Sequence, residues 1–157
     1  MGNPFIFFKS PIAISAILGW ILAQLIKLPI GYLRSKKWDW ALLINAGGMP
    51  SSHSSLMSAV TTAIGINQGW DSPLFILALS VTGIVIYDAT GVRRQAGFHA
   101  ERINQIIRAF VAERKIDEPE RVELLEIIGH SPAEAAVGAL LGILIAIFVC
   151  LVGYDLL

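Results

Sequence analysis

The sequence is poor in charge and contains a single cysteine. Asp, Glu, Lys and Arg make up 15% of its 157 residues, whereas a soluble domain carries about a quarter. The formal net charge is zero, so nothing suggests the basic surface of a nucleic-acid-binding protein. Cys150 alone cannot form an internal disulfide or a thiolate metal site. We therefore expect one domain, over residues 1–157, that buries this cysteine as a small apolar residue.

Four long stretches contain no charged residue. They have 17, 17, 16 and 20 residues and cover positions 10–26, 54–70, 72–87 and 135–154. About 20 apolar residues cross a bilayer core, within a range of roughly 17–25. A buried soluble helix would explain either middle stretch alone, but four such stretches favour a multi-pass protein of the cell membrane. The sequence therefore predicts an all-α helical bundle with about four membrane helices.

The loops between these stretches differ in basic residues. The second connection has no Lys or Arg, whereas the first contains Lys27, Arg34, Lys36 and Lys37, and the third, from Arg93 to about Gly129, contains seven. Short loops rich in Lys and Arg stay in the cytoplasm. We therefore expect the first and third connections to face the cytoplasm and both termini to face outward. Lys27 is expected to snorkel to the interface. The N-terminus lacks a basic segment and a cleavage site, so the first stretch is expected to be a retained helix.

The third connection is predicted to contain two amphipathic helices. Apolar residues of His99–Lys115 recur on one face, and a second, shorter pattern runs from about Glu118 to Gly129. These helices are expected to lie on the membrane surface or to cap the bundle.

The first candidate site is GGMPSSHSS, Gly47 to Ser55. If a helix begins near Ser51, its free N–H groups and the neighbouring hydroxyls favour an anion beside His53. The alternative is an ordinary serine cap, with the histidine at the level of the lipid headgroups.

The second candidate site opens the last apolar stretch, at GHSPAEAAVGALLG. His130 and Glu134 are four residues apart, so the carboxylate can orient the imidazole. Ser131 to Glu134 also matches a capping box, with Pro132 at the first helical position. The two interpretations are compatible, because Glu134 faces the helix start in both.

The predicted topology brings these sites to one membrane face. Both histidines stand at cytoplasmic helix starts, and Arg93 and Arg94 follow the third helix on the same side. Two histidines, an orienting carboxylate and several cations suffice for phosphoryl transfer without a metal or cofactor. Asp88, an ionisable group at the membrane boundary, is expected to pair with Arg93 or Arg94 in a structural role.

These motifs resemble those of a known superfamily. PSSH, at positions 50–53, is similar to the proline-serine-glycine-histidine motif of the type 2 phosphatidic acid phosphatase and vanadium haloperoxidase superfamily. HSPAEAAVGALLG resembles its last motif, in which a carboxylate follows the histidine by four residues. Together with YDATGVRR, the pattern is similar to the small divergent bacterial branch and spans about Lys36 to Gly142.

The resemblance implies a role for each matched residue. His130 matches the nucleophile that becomes phosphohistidine, and Glu134 matches the aspartate that orients it. His53 matches the general acid. Ser51 and Ser52 match the phosphate-binding turn, with Ser52 in place of glycine.

The chain also departs from the superfamily pattern. Leu124 stands where an arginine precedes the nucleophile by six residues, and no Lys-x6-Arg-Pro motif precedes Pro50. We expect the missing charges to come from Arg93, Arg94, Lys36 or Lys37. The chain has four predicted spans, whereas the superfamily scaffold has six. The amphipathic helices or a second copy of the chain could complete this smaller scaffold.

The leading hypothesis is a metal-independent membrane phosphatase that acts on a phospholipid or isoprenoid phosphate, as a monoester or diphosphate, in the cytoplasmic leaflet. Phosphatidylglycerophosphate, an intermediate of phospholipid synthesis, would be a suitable substrate on the cytoplasmic side. The alternative is a non-catalytic lipid-phosphate binder or transporter subunit with the same cationic pocket. A haloperoxidase is disfavoured because such enzymes are soluble. In the simplest alternative, a structural membrane protein, the histidines only cap helices.

Overall fold

The computed structural model describes residues 9–43, 47–114, 124–125 and 128–156. Helices account for nearly all of this part of the chain, and it contains no strand. The helices are α1 (Pro11–Ser35), a short 3-10 helix (Trp40–Leu43), α2 (Ser52–Gln68), α3 (Pro73–Thr90), α4 (Val92–Arg114) and α5 (Pro132–Leu156). The predicted all-α bundle is confirmed.

Among the described residues, three helical stretches are long and apolar enough to cross a membrane. They are Pro11–Ser35, Pro73–Val111 and Pro132–Val152. The fourth predicted membrane helix, α2, has only 17 residues and lies at the centre, packed against α1, α3 and α5. Most of its serine, threonine and alanine residues are buried against these helices, so α2 does not need the long apolar surface of its neighbours.

Small residues let α2 and α5 approach each other closely. A side chain at Gly138 or Gly142 would collide with the carbonyl oxygen of Ser51 or Ser55, respectively. The two glycines are four residues apart, which is the spacing of a common helix-packing motif in membranes. The main chains of α2 and α5 are therefore in direct contact, and this contact brings the beginnings of the two helices together.

The buried hydroxyl groups of α2 bond to neighbouring helices. Ser55 Oγ donates to the Gly19 carbonyl oxygen of α1 at 2.8 Å, and Thr61 Oγ1 lies 2.7 Å from Thr82 Oγ1 of α3. Such bonds matter in a membrane because no water is there to satisfy polar groups. Cys150 is buried with alanines in a small apolar core, as the sequence predicts.

The amphipathic helix α4 begins earlier than the sequence predicts. It starts at Val92, and Gly91 alone separates it from α3, with backbone angles of −105° and −85° that interrupt the helix. Residues 92–98, expected in a connection, are therefore helical. Arginine, glutamine and alanine in this segment favour helix. Most of the second predicted amphipathic helix lies outside the described residues, and the parts that are described, 124–125 and 128–129, are not helical.

Candidate active site

The beginnings of α2 and α5 are joined by a main-chain hydrogen bond. The N–H of Ser51 donates to the carbonyl oxygen of Glu134 at 3.1 Å. Ser51 also caps α2, since its Oγ accepts a bond from the N–H of Ser54 at 3.3 Å. The predicted serine cap is therefore present, and it lies beside the helix start that carries the second histidine.

The loop before α5 is fitted tightly against the junction of α3 and α4. Gly129 has a φ of +91°, and a Cβ atom there would lie 2.8 Å from the carbonyl carbon of Arg93. Both the backbone conformation and the close contact require glycine. The next residue, His130, donates its N–H to the carbonyl oxygen of Ala89 at 2.9 Å. His130 is thus held at the end of α3.

Glu134 caps α5 and contacts the histidine at the same time. Its Oε2 accepts a bond from the N–H of Ser131 at 3.0 Å, and Ser131 Oγ accepts one from the N–H of Glu134 at 3.3 Å. The same Oε2 lies 3.4 Å from Nδ1 of His130. Both interpretations of this motif therefore hold in one structure.

The other ring nitrogen of His130 is buried without a partner. The residue is only 3% exposed, and its Nε2 has no hydrogen-bond partner among the residues that the structure describes. Contact with Glu134 favours the tautomer that carries its proton on Nδ1, which leaves the Nε2 lone pair free to attack an electrophile.

The surroundings of His130 keep its imidazole neutral. Burial lowers the pKa of this imidazole below its usual value, because a charged ring loses hydration in the protein. Glu134 acts to raise the pKa through its hydrogen bond and charge, while the positive charges of Lys27 and His53 lower it. The net direction is downward, so His130 is a neutral base near pH 7.

A cavity of about 270 Å³ connects the two histidines with α3 and α4. His53 and His130 both line it, together with Ile84, Val85, Asp88, Ala89, Arg93 and Gly129. The apolar wall comes from α3 and the cation from the first turn of α4. The predicted partner of Asp88 is Arg93, whose Nε lies 2.6 Å from Asp88 Oδ2.

His53 lies in the field of two cations. Its side chain is exposed where the cavity opens, and the positive charges of Arg93 and Lys27 act on it. A charge on His53 also acts on His130. An anion between the imidazoles would reduce this repulsion, since it attracts each of these positive groups.

The other predicted phosphate ligands occupy different positions. Ser51 and Ser52 are buried at the start of α2, and Ser52 Oγ is without a hydrogen-bond partner in the described part of the chain. Arg94 is exposed, with its guanidinium 5.3 Å from the centre of the Phe98 ring. Lys36 and Lys37 are exposed beyond the end of α1. None of these three cations lines the cavity of the histidines.

Lys27 is a cation near the two histidines that the sequence did not predict, although it does not line their cavity. It is 1% exposed, so the expectation that it snorkels to the interface was wrong. Its charge acts on Glu134, His53 and His130. A sequence signal was present, because Lys27 and Arg34 have the Lys-x6-Arg spacing of the superfamily motif, with Ser35 in place of proline.

Lys27 and Arg34 line a different cavity, of about 250 Å³, beside Gly48 and Met49. This cavity lies next to the glycine-rich segment that precedes His53. Across residues 9–43, 47–114 and the described positions beyond, no three His, Cys, Asp or Glu side chains cluster in a way that could hold a metal ion.

These features define an integral membrane helical bundle with two histidines at adjoining helix starts. The chain belongs to the Divergent PAP2 family, whose sequence model matches residues 8–145. It is also similar to YuiD, an uncharacterized membrane protein of Bacillus subtilis (strain 168), with 41% identity over 143 residues, 85% of this chain and 90% of that protein. No solved structure matches the chain. The resemblance found in the motifs is therefore confirmed at the level of the family.

Proposed function

We propose that the chain is a membrane phosphatase that hydrolyses a lipid phosphate through a phosphohistidine on His130. The observation that supports this most strongly is the state of the imidazole. Its Nδ1 contacts Glu134 at 3.4 Å, whereas its buried Nε2 has no partner in the described structure. A structural histidine in a membrane bundle would be expected to use both nitrogens, because unsatisfied buried polar groups are costly.

In the first step, Nε2 of His130 attacks the phosphorus atom of the substrate. The P–O bond to the lipid or lipid phosphate breaks, and protonated His53 donates a proton to the leaving oxygen. Glu134 stabilises the positive charge that develops on the His130 ring. The products of this step are the dephosphorylated lipid and phosphohistidine.

In the second step, His53 is a general base. It takes a proton from water, whose oxygen attacks phosphorus while the P–N bond to His130 breaks. Inorganic phosphate leaves, and His130 returns to its neutral form while His53 is again protonated. The two steps balance without an oxidant or another co-reactant.

The cations have a separate role, which is to hold the phosphate oxygens. Arg93 lines the cavity, and Asp88 fixes its guanidinium through the 2.6 Å ion pair. Lys27 adds a buried positive charge close enough to act on both histidines. Positive charges held in place stabilise the extra negative charge of the transition state.

A lipid substrate fits the position of the cavity. Its apolar wall belongs to α3, and Ile84 on that wall is 68% exposed on a helix of the membrane bundle. The apolar part of a lipid can therefore stay against α3 while its phosphate reaches the histidines. The basic connections favour the cytoplasmic leaflet, where phosphatidylglycerophosphate is a suitable candidate.

Phosphate release from detergent-solubilised protein tests the proposal. Phosphatidylglycerophosphate, phosphatidic acid and undecaprenyl diphosphate are compared as substrates for the wild-type protein and for His130→Ala. His99→Ala is the matched control, because His99 is exposed on α4 and does not line the cavity. We expect turnover with at least one substrate, retained in His99→Ala and lost in His130→Ala. Equal turnover by wild type and His130→Ala would exclude the mechanism.

A binding measurement with the same lipids tests the alternative of a lipid-phosphate binder. Such a protein would bind the lipid in a way that depends on Arg93 and would release no phosphate with any substrate. Saturable binding without turnover would therefore replace the phosphatase by the binder.

A further inference from the structure

One side chain of α4 holds the loop that leads to His130. Asn104 is 2% exposed, and its Nδ2 donates to the carbonyl oxygen of Leu124 at 2.9 Å. Its Oδ1 accepts a bond from the N–H of the same residue at 3.1 Å. One amide therefore satisfies both main-chain groups of Leu124, six residues before the histidine.

The same loop is fixed at its other end to the helices that carry Arg93. Gly129 packs on the main chain of Arg93 and Arg94, and the His130 N–H bonds to the carbonyl oxygen of Ala89 at 2.9 Å. The loop thus contacts the end of α3 and the beginning of α4 at one point and the middle of α4 at another. Loss of the Leu124 contact would remove one of the described anchors of the segment that precedes His130.

The pair of bonds requires an amide at position 104. Aspartate of the same length accepts the N–H of Leu124 but cannot donate to its carbonyl oxygen, and leucine does neither. Because Asn104 is buried, no surface water replaces a lost bond at low cost. Its neighbour Gln105 is different, since it is exposed and bonds to Glu101 and Arg102 on the surface of α4.

We infer that Asn104 is a positioning residue, which keeps Nε2 of His130 aligned with the phosphate held by Arg93. The inference rests on the proposed function, in which His130 is the nucleophile. Asn104 does not line the cavity and acts only through the loop. Its loss should reduce the rate of the chemical step more than the binding of substrate, because small displacements of a nucleophile lower the rate steeply.

The test compares Asn104→Leu and Asn104→Asp with Gln105→Leu as the matched control. Phosphate release is measured over a range of substrate concentrations and normalised to monodisperse, helical protein. For both Asn104 variants we expect kcat to fall about tenfold or more and KM to change by less than about twofold. Gln105→Leu should keep both constants within about twofold of wild type. If Asn104→Leu does not fold, Asn104→Asp, which keeps one of the two bonds, carries the comparison.

Hydrogen–deuterium exchange gives a second measurement that does not need activity. Peptides covering residues 124–131 should exchange faster in the Asn104 variants, at the His130 amide in particular, and at the wild-type rate in Gln105→Leu. Wild-type kcat for the folded Asn104 variants, even with a lower melting temperature, would show a merely structural role and overturn the inference. So would unchanged exchange of the loop. If the wild type and the Asn104 variants are all fully active, the positioning role of Asn104 is refuted but the proposed function is not. If the wild type is inactive, both are refuted.

Discussion

The main-chain N–H of Ser51 donates to the carbonyl oxygen of Glu134 at 3.1 Å, so that the first turns of α2 and α5 lie side by side. His53 follows Ser51 by two residues, and His130 precedes Glu134 by four. The two histidines therefore line one cavity because two helix backbones touch. The chemistry of the site depends on this packing as much as on the histidines themselves.

A larger residue at Gly142 should separate α2 from α5. A side chain there would collide with the carbonyl oxygen of Ser55, and overpacking of this kind costs about 1–3 kcal/mol. We expect Gly142→Val to lower the midpoint of thermal unfolding in detergent, followed by circular dichroism, and to reduce phosphate release.

Gly83→Ala is the matched control for this packing, since a Cβ atom at Gly83 meets nothing within 4 Å. Alanine in a helix should be neutral or stabilise the protein by up to about 1 kcal/mol. Equal melting temperatures for Gly142→Val and Gly83→Ala would contradict the close contact of the two helices.

Replacement of Glu134 by glutamine should separate its capping role from its effect on the histidine. Glutamine can still accept the bond from the N–H of Ser131, so the helix start should keep most of its stability. The charge that stabilises the developing imidazolium of His130 is lost, and we expect kcat to fall by about a hundredfold or more. Initial rates and melting curves of Glu134→Gln and Glu134→Ala measure the two roles. A fall in stability without a fall in kcat per folded protein would leave Glu134 as a cap alone.

The rate should decline at acid pH as His130 becomes protonated. Burial places the pKa of His130 below its usual value of about 6.5, so the neutral nucleophile persists at pH 7 and is lost only at lower pH. Glu134 acts to raise this pKa. The acid limb of kcat/KM should therefore move to still lower pH in Glu134→Gln, although the rate itself falls.

Profiles of kcat/KM between about pH 4.5 and 8 measure this shift, because this constant reports the ionisations of the free enzyme and free substrate. The titration of the substrate phosphate is common to both proteins and cancels in the comparison. An acid limb that moves to higher pH in Glu134→Gln would contradict the account of the His130–Glu134 pair.

The buried cation Lys27 should contribute more to turnover than the exposed lysines beyond α1. Lys27→Met keeps the approximate length of the side chain and removes the charge that acts on His53 and His130. We expect kcat/KM for phosphate release to fall about tenfold or more. Lys36→Met, at an exposed position outside the cavity, should stay within about twofold of wild type. A larger loss of kcat/KM in Lys36→Met than in Lys27→Met would contradict this prediction. The phosphate-binding role would then belong to the exposed lysines, as the sequence predicted.

The sequence predicted the helical membrane fold because the absence of charge over long stretches is a strong physical constraint. It also predicted the capping box at Ser131 and the pairing of Asp88, which involve residues close together in the chain. The central position of α2 was not predictable in the same way. A stretch of small and hydroxylated residues has no periodic apolar face, and only its packing against three other helices explains why it is buried.

Lys27 and Asn104 show why part of the site could not be read from the sequence. The pattern around Lys27 fits a lysine near the end of a membrane helix, whereas in the fold Lys27 is buried and lines a cavity with Gly48 and Met49 of the segment before α2. Asn104 lies on an amphipathic helix where a polar residue needs no special explanation. Its partner is the main chain of Leu124, and no residue type at position 124 signals such a bond.

The most direct measurement is the trapping of a phosphoenzyme. Solubilised protein is mixed with ³²P-labelled lipid phosphate, quenched with base within the first turnover and digested for identification of the labelled peptide. The proposed mechanism requires a base-stable, acid-labile phosphate on His130 that is absent from His130→Ala and retained in His99→Ala. Turnover by the wild-type protein without such a label, or with an equal label in His130→Ala, would contradict it.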